Sequence, residues 1–179
     1  MLPPEVPITI LDRMYCFRLK SLRKFRISNE LVLFHARDDS VAMYTSWLNV
    51  HYWGFQRDEA LLLARMMLRT IFEDEGEPSR LREFDWLSSF DLTKYEVEMV
   101  ALSGITGLGE RIDRRYELGD RKILLVGEFR QGSRFLVTDG YQGDTAFGPR
   151  VIGLTSRDAA LTAKTILTLL DSVEHAIEE

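Results

Sequence analysis

The sequence predicts an α+β protein built as two tandem β-β-β-β-α repeats, a pseudo-symmetric unit of antiparallel sheets with packed helices. Three observations predict it. Arg57-Asp-Glu-Ala-Leu61 and Arg157-Asp-Ala-Ala-Leu161 share the pattern Arg-Asp-x-Ala-Leu at a spacing of one hundred residues, each after a strand-like run (47–53, 150–152) and at the start of a helical pattern. Internal repetition of this kind sets the whole fold. Upstream of each copy, residues 32–45 lie over 124–138 with one gap. A chain of 179 residues with 45% hydrophobic and 28% charged side chains can bury a core without staples. The expected boundaries are a first repeat over 1–77, a linker with a short helix over 78–92, and a second repeat over 93–179.

In order, residues 6–11 are strand-like, held extended at an edge by Pro3, Pro4 and Pro7. Residues 17–27 alternate: Phe17, Leu19, Ser21, Arg23, Phe25 and Ile27 fall on one largely apolar parity, and Arg18, Lys20, Leu22, Lys24 and Arg26 on the other. A strand there presents four cations on one face. Ser28-Asn-Glu30 forms a turn, 31–37 a strand, and Asp38-Asp-Ser40 a second turn. Residues 41–53, rich in β-branched and aromatic side chains, form one strand with a bulge near 46–49. Asp58 is the expected N-cap of a helix running to about Phe72, apolar nearly all round, with Arg65 and Arg69 on its polar edge.

Residues 73–79 are acidic, contain Gly76 and Pro78, and form the expected linker; 79–87 form a short amphipathic helix with Leu81, Phe84 and Leu87 on one side. In the second repeat, strands are expected over 94–102, 111–118, 121–130, 134–138 and 150–154, with a glycine loop at 104–109, a hairpin loop at 131–133 and a long loop at 141–149. Thr155 or Ser156 caps the final helix, with Asp158 at the capping-box position. Ala159, Ala163, Ile166, Leu167, Leu170, Val173 and Ile177 form its apolar stripe.

Composition narrows the function. The single cysteine, Cys16, excludes an intramolecular disulfide and a multi-thiolate zinc site. No apolar run reaches membrane length and the first residues lack signal-peptide character, so the expectation is an intracellular protein, cytoplasmic or associated with a nucleoid or organelle. Nucleophile-elbow, zincin and phosphate-loop motifs are absent, and Gly104, Gly107 and Gly109 do not have the dinucleotide spacing. His35 beside Arg37, Asp38 and Asp39 is explained by a strand end running into a turn. No catalytic constellation, metal site or cofactor is therefore expected.

Charge is unevenly spread. The net charge is −5, yet residues 13–37 hold seven Lys or Arg against Glu30 alone. Local field decides what a surface attracts. The second repeat adds Arg111, Arg115, Lys122, Arg130 and Arg134, and the strands carry Tyr44, Trp53, Phe129 and Phe135. Cations along the strands with rings between them are what single-stranded nucleic acid requires, the cations for phosphates and the rings for bases.

Two halves of four strands and a helix resemble the Whirly and PUR single-strand-binding families, and each half is similar to the unit of the transcriptional positive cofactor family. The residues that carry the likeness are Glu128-Phe-Arg-Gln-Gly-Ser-Arg-Phe-Leu-Val137, a basic hairpin, followed by Gly148-Pro-Arg-Val-Ile-Gly-Leu154 and the capped helix. It covers mainly 121–175 and, more faintly, 17–72. Arg130, Arg134 and Phe135 stand where PUR hairpins carry basic and aromatic residues; in the first half the matching turn, Asp38-Asp-Ser40, is acidic instead.

The resemblance and the residues together give the expected function, non-enzymatic binding of single-stranded DNA or RNA. Arg18, Lys20, Lys24, Arg26, Arg115, Lys122, Arg130 and Arg134 would neutralise phosphates, and Tyr44, Trp53, Phe129 and Phe135 would stack on bases. The rival expectation is an acidic protein-binding module, such as a chaperone, immunity protein or adaptor. Exposed strand edges and apolar helices also suit a homo-oligomer.

Overall fold

The computed structural model describes residues 2–6, 23–45, 51–75, 84–97, 109–119, 122–139 and 151–177. Among these residues it is an α+β protein with two antiparallel four-stranded sheets and two helices. Strands β1 (Arg23–Arg26), β2 (Leu31–His35), β3 (Val41–Thr45) and β4 (His51–Phe55) form one sheet in sequence order, and helix α1 (Arg57–Glu75) follows. Strands β5 (Gly109–Gly119), β6 (Lys122–Phe129), β7 (Phe135–Asp139) and β8 (Val151–Leu154) form the other, again in sequence order, and helix α2 (Ser156–Ile177) follows. By Cα proximity the chain divides into a unit of Met1–Ala64 with Leu161–Glu179 and a unit of Arg65–Ala160, so each division falls inside a helix.

In the first unit the ladder pairs Phe25 with Leu33, Leu33 with Met43, and Val41 with Phe55. These positions share one parity and are buried almost completely, which makes that face core. The opposite parity holds Lys24, Phe34 and Ala42 in register, with Val32 and Tyr44 packed beside them. Phe34 and Ala42 are buried too, so both faces of this sheet are covered. The segment Pro4–Val6 lies along the outer edge of β1: Glu5 bridges Phe25, Val6 N–H donates to Lys24 O at 2.9 Å, and Arg26 N–H to Pro4 O at 3.1 Å.

The turn at Asp38-Asp-Ser40 closes as its chemistry predicts. Ser40 N–H donates to Asp38 Oδ1 at 3.0 Å, and Asp39 adopts a left-handed φ of 60°, which Asp tolerates better than most residues. His35 Nε2 lies 2.9 Å from Asp39 Oδ1, within hydrogen-bonding distance at a strand end. The single strand expected over 41–53 is instead a hairpin, β3 pairing with β4. The bulge expected near 46–49 falls within residues 46–50, which lie outside the described ones.

In the second unit β6 reads Ile123-Leu-Leu-Val126 without alternation, and all four residues are buried. Such a run marks a strand covered on both faces. One face carries Tyr116, Leu124 and Val137 with Ile152. The other carries Ile123, Leu125, Phe129 and Leu136, with Ile112 against them. Strand β5 is irregular at three places; at one, Gly127 comes so close to the β5 backbone that a Cβ would lie 2.0 Å from Arg111 O. Here too a preceding segment lies along the first strand: Glu96 bridges Tyr116 and Val97 N–H donates to Arg115 O at 3.0 Å.

Helix α1 is longer than predicted and begins one residue before the expected cap. Gln56, not Asp58, precedes it, and Gln56 N–H donates to Glu59 Oε2 at 3.0 Å as in a capping box. Its buried residues from Ala60 to Ile71 cover about 220° of arc at 100° per residue, leaving a strip of Leu62, Arg65 and Arg69. Helix α2 starts as predicted, with Asp158 N–H donating to Thr155 Oγ1 at 3.1 Å. Its stripe of Ala159, Ala163, Ile166, Leu167 and Leu170 is buried. Within the first unit Arg57 Nη2 donates to Leu170 O at 3.4 Å. No described helix is long and apolar enough to cross a membrane.

Two further expectations change. Helix 79–87 is not continuous: Asp85-Trp86 is a turn and Leu87–Ser89 a 3-10 turn, while 79–83 lie outside the described residues. Lys94 and Tyr95, expected in a strand, belong to a 3-10 turn over Leu92–Tyr95 whose cap is Asp91, accepting from Thr93 N–H at 3.0 Å. The run was extended in the sequence by its apolar content, but a capping Asp favours a helical turn.

Candidate functional site

The residues expected to meet nucleic acid fall in both units. Arg18 and Lys20 lie outside the described residues. Lys24, expected on an open cationic face, is 8% exposed with Nζ 5.9 Å over the Phe34 ring. Arg26 is exposed and Tyr44 half-buried against the Phe34 and Ala42 pair. Trp53 pairs with Met43 whereas Tyr44 pairs with Tyr52, so the two positions have opposite parity in the ladder; the Trp53 side chain lies outside the described residues.

Phe129 is 5% exposed and Phe135 is fully buried. Both are core rings, and neither offers a face to a base. The correction has a visible cause: β6 and β7 are apolar on both parities, and both rings belong to those runs. Arg130 is exposed in the 3-10 turn Arg130–Gly132, where Gly132 takes a left-handed φ of 73°. Arg115 and Lys122 are half-buried.

Arg134 is engaged inside its own unit. Its Nη1 donates to Asp113 Oδ2 at 2.7 Å and to Gly127 O at 2.9 Å, and its Nη2 to Asp74 Oδ2 at 3.0 Å. Arg114 Nη1 donates to Glu73 Oε2 at 2.8 Å, Arg69 pairs with Glu73, and Arg111 pairs with Asp113 and Glu128. The residues expected in a linker, Glu73 and Asp74, are the last turn of α1 and the anionic half of this network. The Arg134 hydrogen bond holds the Asp113 carboxyl below its ordinary value against the opposing effect of desolvation, with Arg111 adding to the hold. Burial, first of all, raises the Tyr116 phenol beside the network.

A second set of rings was missed by sequence reasoning, apart from Phe84. Phe84, Trp86, Phe90 and Tyr95 form a chain: centroids lie 5.8 Å apart for Phe84 and Trp86, 6.0 Å for Trp86 and Phe90, and 6.0 Å for Phe90 and Tyr95, the last pair stacked. All four are half-buried. Leu87 and Leu92, both buried, anchor the segment. The strip left on α1 meets it: Arg65 Cζ lies 5.9 Å over the Trp86 ring and Arg69 Nε donates to Phe90 O at 3.2 Å. Each ring stands next in sequence to an exposed carboxylate, in Phe84-Asp85-Trp86, Phe90-Asp91 and Tyr95-Glu96. That alternation was the available signal.

Among the described residues no group of three His, Cys, Asp or Glu is placed to hold a metal ion. No family model matches the chain, and neither a curated protein nor a solved structure matches it.

Proposed function

We propose that the protein is a non-catalytic binding module whose partner is another protein, engaged through the aromatic and carboxylate strip of residues 84–96. One contrast supports this reading. Of the rings expected to stack on bases, Phe129 and Phe135 are buried, Tyr44 is half-buried and the Trp53 side chain lies outside the described residues, whereas Phe84, Trp86, Phe90 and Tyr95 stand together half-exposed beside Asp85, Asp91 and Glu96. Aromatic side chains concentrated at a partly exposed surface are enriched in protein interfaces.

The two halves are read as tandem β-β-β-β-α repeats. Each sheet is a meander in sequence order, each is followed by a helix, and each has a preceding segment bridged to its first strand. The echoed Arg-Asp-x-Ala-Leu pattern opens both helices.

Single-stranded nucleic acid is the second reading. It draws on exposed Arg26 and Arg130 and on the resemblance of the sequence, mainly over 121–175, to the Whirly and PUR families. One pair of experiments separates them. The tagged full-length chain is isolated from its own cells after nuclease treatment and cross-linking, and anisotropy of single-stranded DNA and RNA is followed at low and high salt. A protein retained in near-equal amount, without saturable oligonucleotide binding, is the expected result. Saturable binding that weakens steeply with salt, with no such protein, overturns the proposal.

A further inference from the structure

We propose that the strip of residues 84–96 is a docking site for an arginine-rich segment of a partner protein; this inference rests on the protein-binding reading above. Two kinds of attraction converge there. Ring faces carry negative quadrupole density, and the neighbouring carboxylates carry full charge. A guanidinium satisfies both at once, since it stacks flat on a ring and presents a fork of donors to a carboxylate.

The protein already uses this chemistry on the inner edge of the strip. Arg65 lies over Trp86, Arg69 donates to the Phe90 carbonyl, and Arg69 Cζ also lies 5.5 Å over Phe72. Arg69 lies 3.3 Å from Glu73 Oε1, a carboxylate it shares with Arg114, so its repulsion of an incoming cation is only partly offset. Asp85, Asp91 and Glu96 are exposed beside Trp86, Phe90 and Tyr95, and they outnumber the exposed cation of the same segment, Lys94. Charge complementarity therefore selects a cationic partner over an acidic one. Two buried leucines and two 3-10 turns hold the segment in place, so its rings are ordered before binding, which lowers the entropic cost of association.

The test uses a labelled nona-arginine peptide and the full chain at moderate salt, read by anisotropy. Asp85→Lys with Glu96→Lys reverses the strip's charge and spares Asp91, which caps a turn. Glu30→Lys with Glu117→Lys makes the same change in net charge at exposed positions elsewhere. Trp86→Leu removes the central ring. Strip variants are expected to bind at least tenfold more weakly and the control within twofold of the native chain. Equal weakening by both double variants, or no saturable binding by the native chain, overturns the proposal. So does an oligonucleotide site lost with Trp86→Leu, or a dimer of this chain that the strip variants dissociate. If the peptide fails to bind while the isolated chain keeps a stoichiometric protein, only the arginine assignment falls. If both are absent, the protein-binding reading falls with it.

Discussion

Arg134→Met separates a structural arginine from a ligand-binding one. The methionine keeps the apolar stem and removes the guanidinium. The native side chain, 21% exposed, loses two carboxylate partners and the Gly127 carbonyl, a backbone acceptor in a buried strand. Partly exposed ion pairs contribute about 0.5–1 kcal/mol each, and an acceptor left without its donor costs about 1–3 kcal/mol. The sum is about 3 kcal/mol. For a chain of this length each kcal/mol moves Tm by about 2–4 °C, so a fall of about 6–12 °C is expected by calorimetry. High salt narrows the difference between native and variant, because the ionic share is screened. An arginine held out for phosphates behaves otherwise: its removal abolishes oligonucleotide binding and leaves Tm within about 2 °C. That outcome refutes the reasoning, and the network becomes incidental.

Four further outcomes follow from the same contacts. Asp113 has a folded pKa below its ordinary 3.8, so its contribution is full above that value and is lost as pH falls through the depressed one; the stability gap between native and Asp113→Asn, measured by urea melts, should close over that acid range. Gly127→Ala would place a Cβ 2.0 Å from Arg111 O and 2.9 Å from Ile112 Cα, both backbone, so β5 must move; a loss of about 3 kcal/mol or failure to fold is expected in denaturant titration. Phe135→Ala empties a fully buried site and should cost about 3–5 kcal/mol in the same titration, whereas an exposed stacking ring would cost almost nothing. Thr155→Ala removes the cap of α2 and should lower stability by about 1 kcal/mol, visible as a small Tm shift.

The elements that local chemistry specifies were legible in the sequence. The Thr155 cap, the Asp38-Asp-Ser40 turn and the apolar stripe of α2 each depend on residues within four positions of one another. The strands of the second sheet were legible from their ends and turns. Their two-faced burial was also written in Ile123-Leu-Leu-Val126, because a strand with one wet face must alternate. Treating Phe129 and Phe135 as platforms passed over that signal. The hairpin within 41–55 was hidden because the polar break at Ser46 and Asn49 suits a bulge as well as a reversal.

What the sequence could not reveal is which cations are already engaged. Alternation gives the direction of a side chain; it does not say whether water or a carboxylate stands there. Arg134 meets Asp74 across sixty residues and Arg114 meets Glu73 across forty-one, separations at which no periodicity survives. The acidic run at 73–74 and the basic strands therefore looked like two independent surface features, one a linker and the other a site. They are two halves of one network. Once Arg134 is matched internally and Lys24 buried, the expected positive surface shrinks, among the described residues, to Arg26, Arg130 and the half-buried Arg115 and Lys122. The aromatic strip gains weight for the same reason. Its flanking carboxylates Asp85 and Glu96 are exposed.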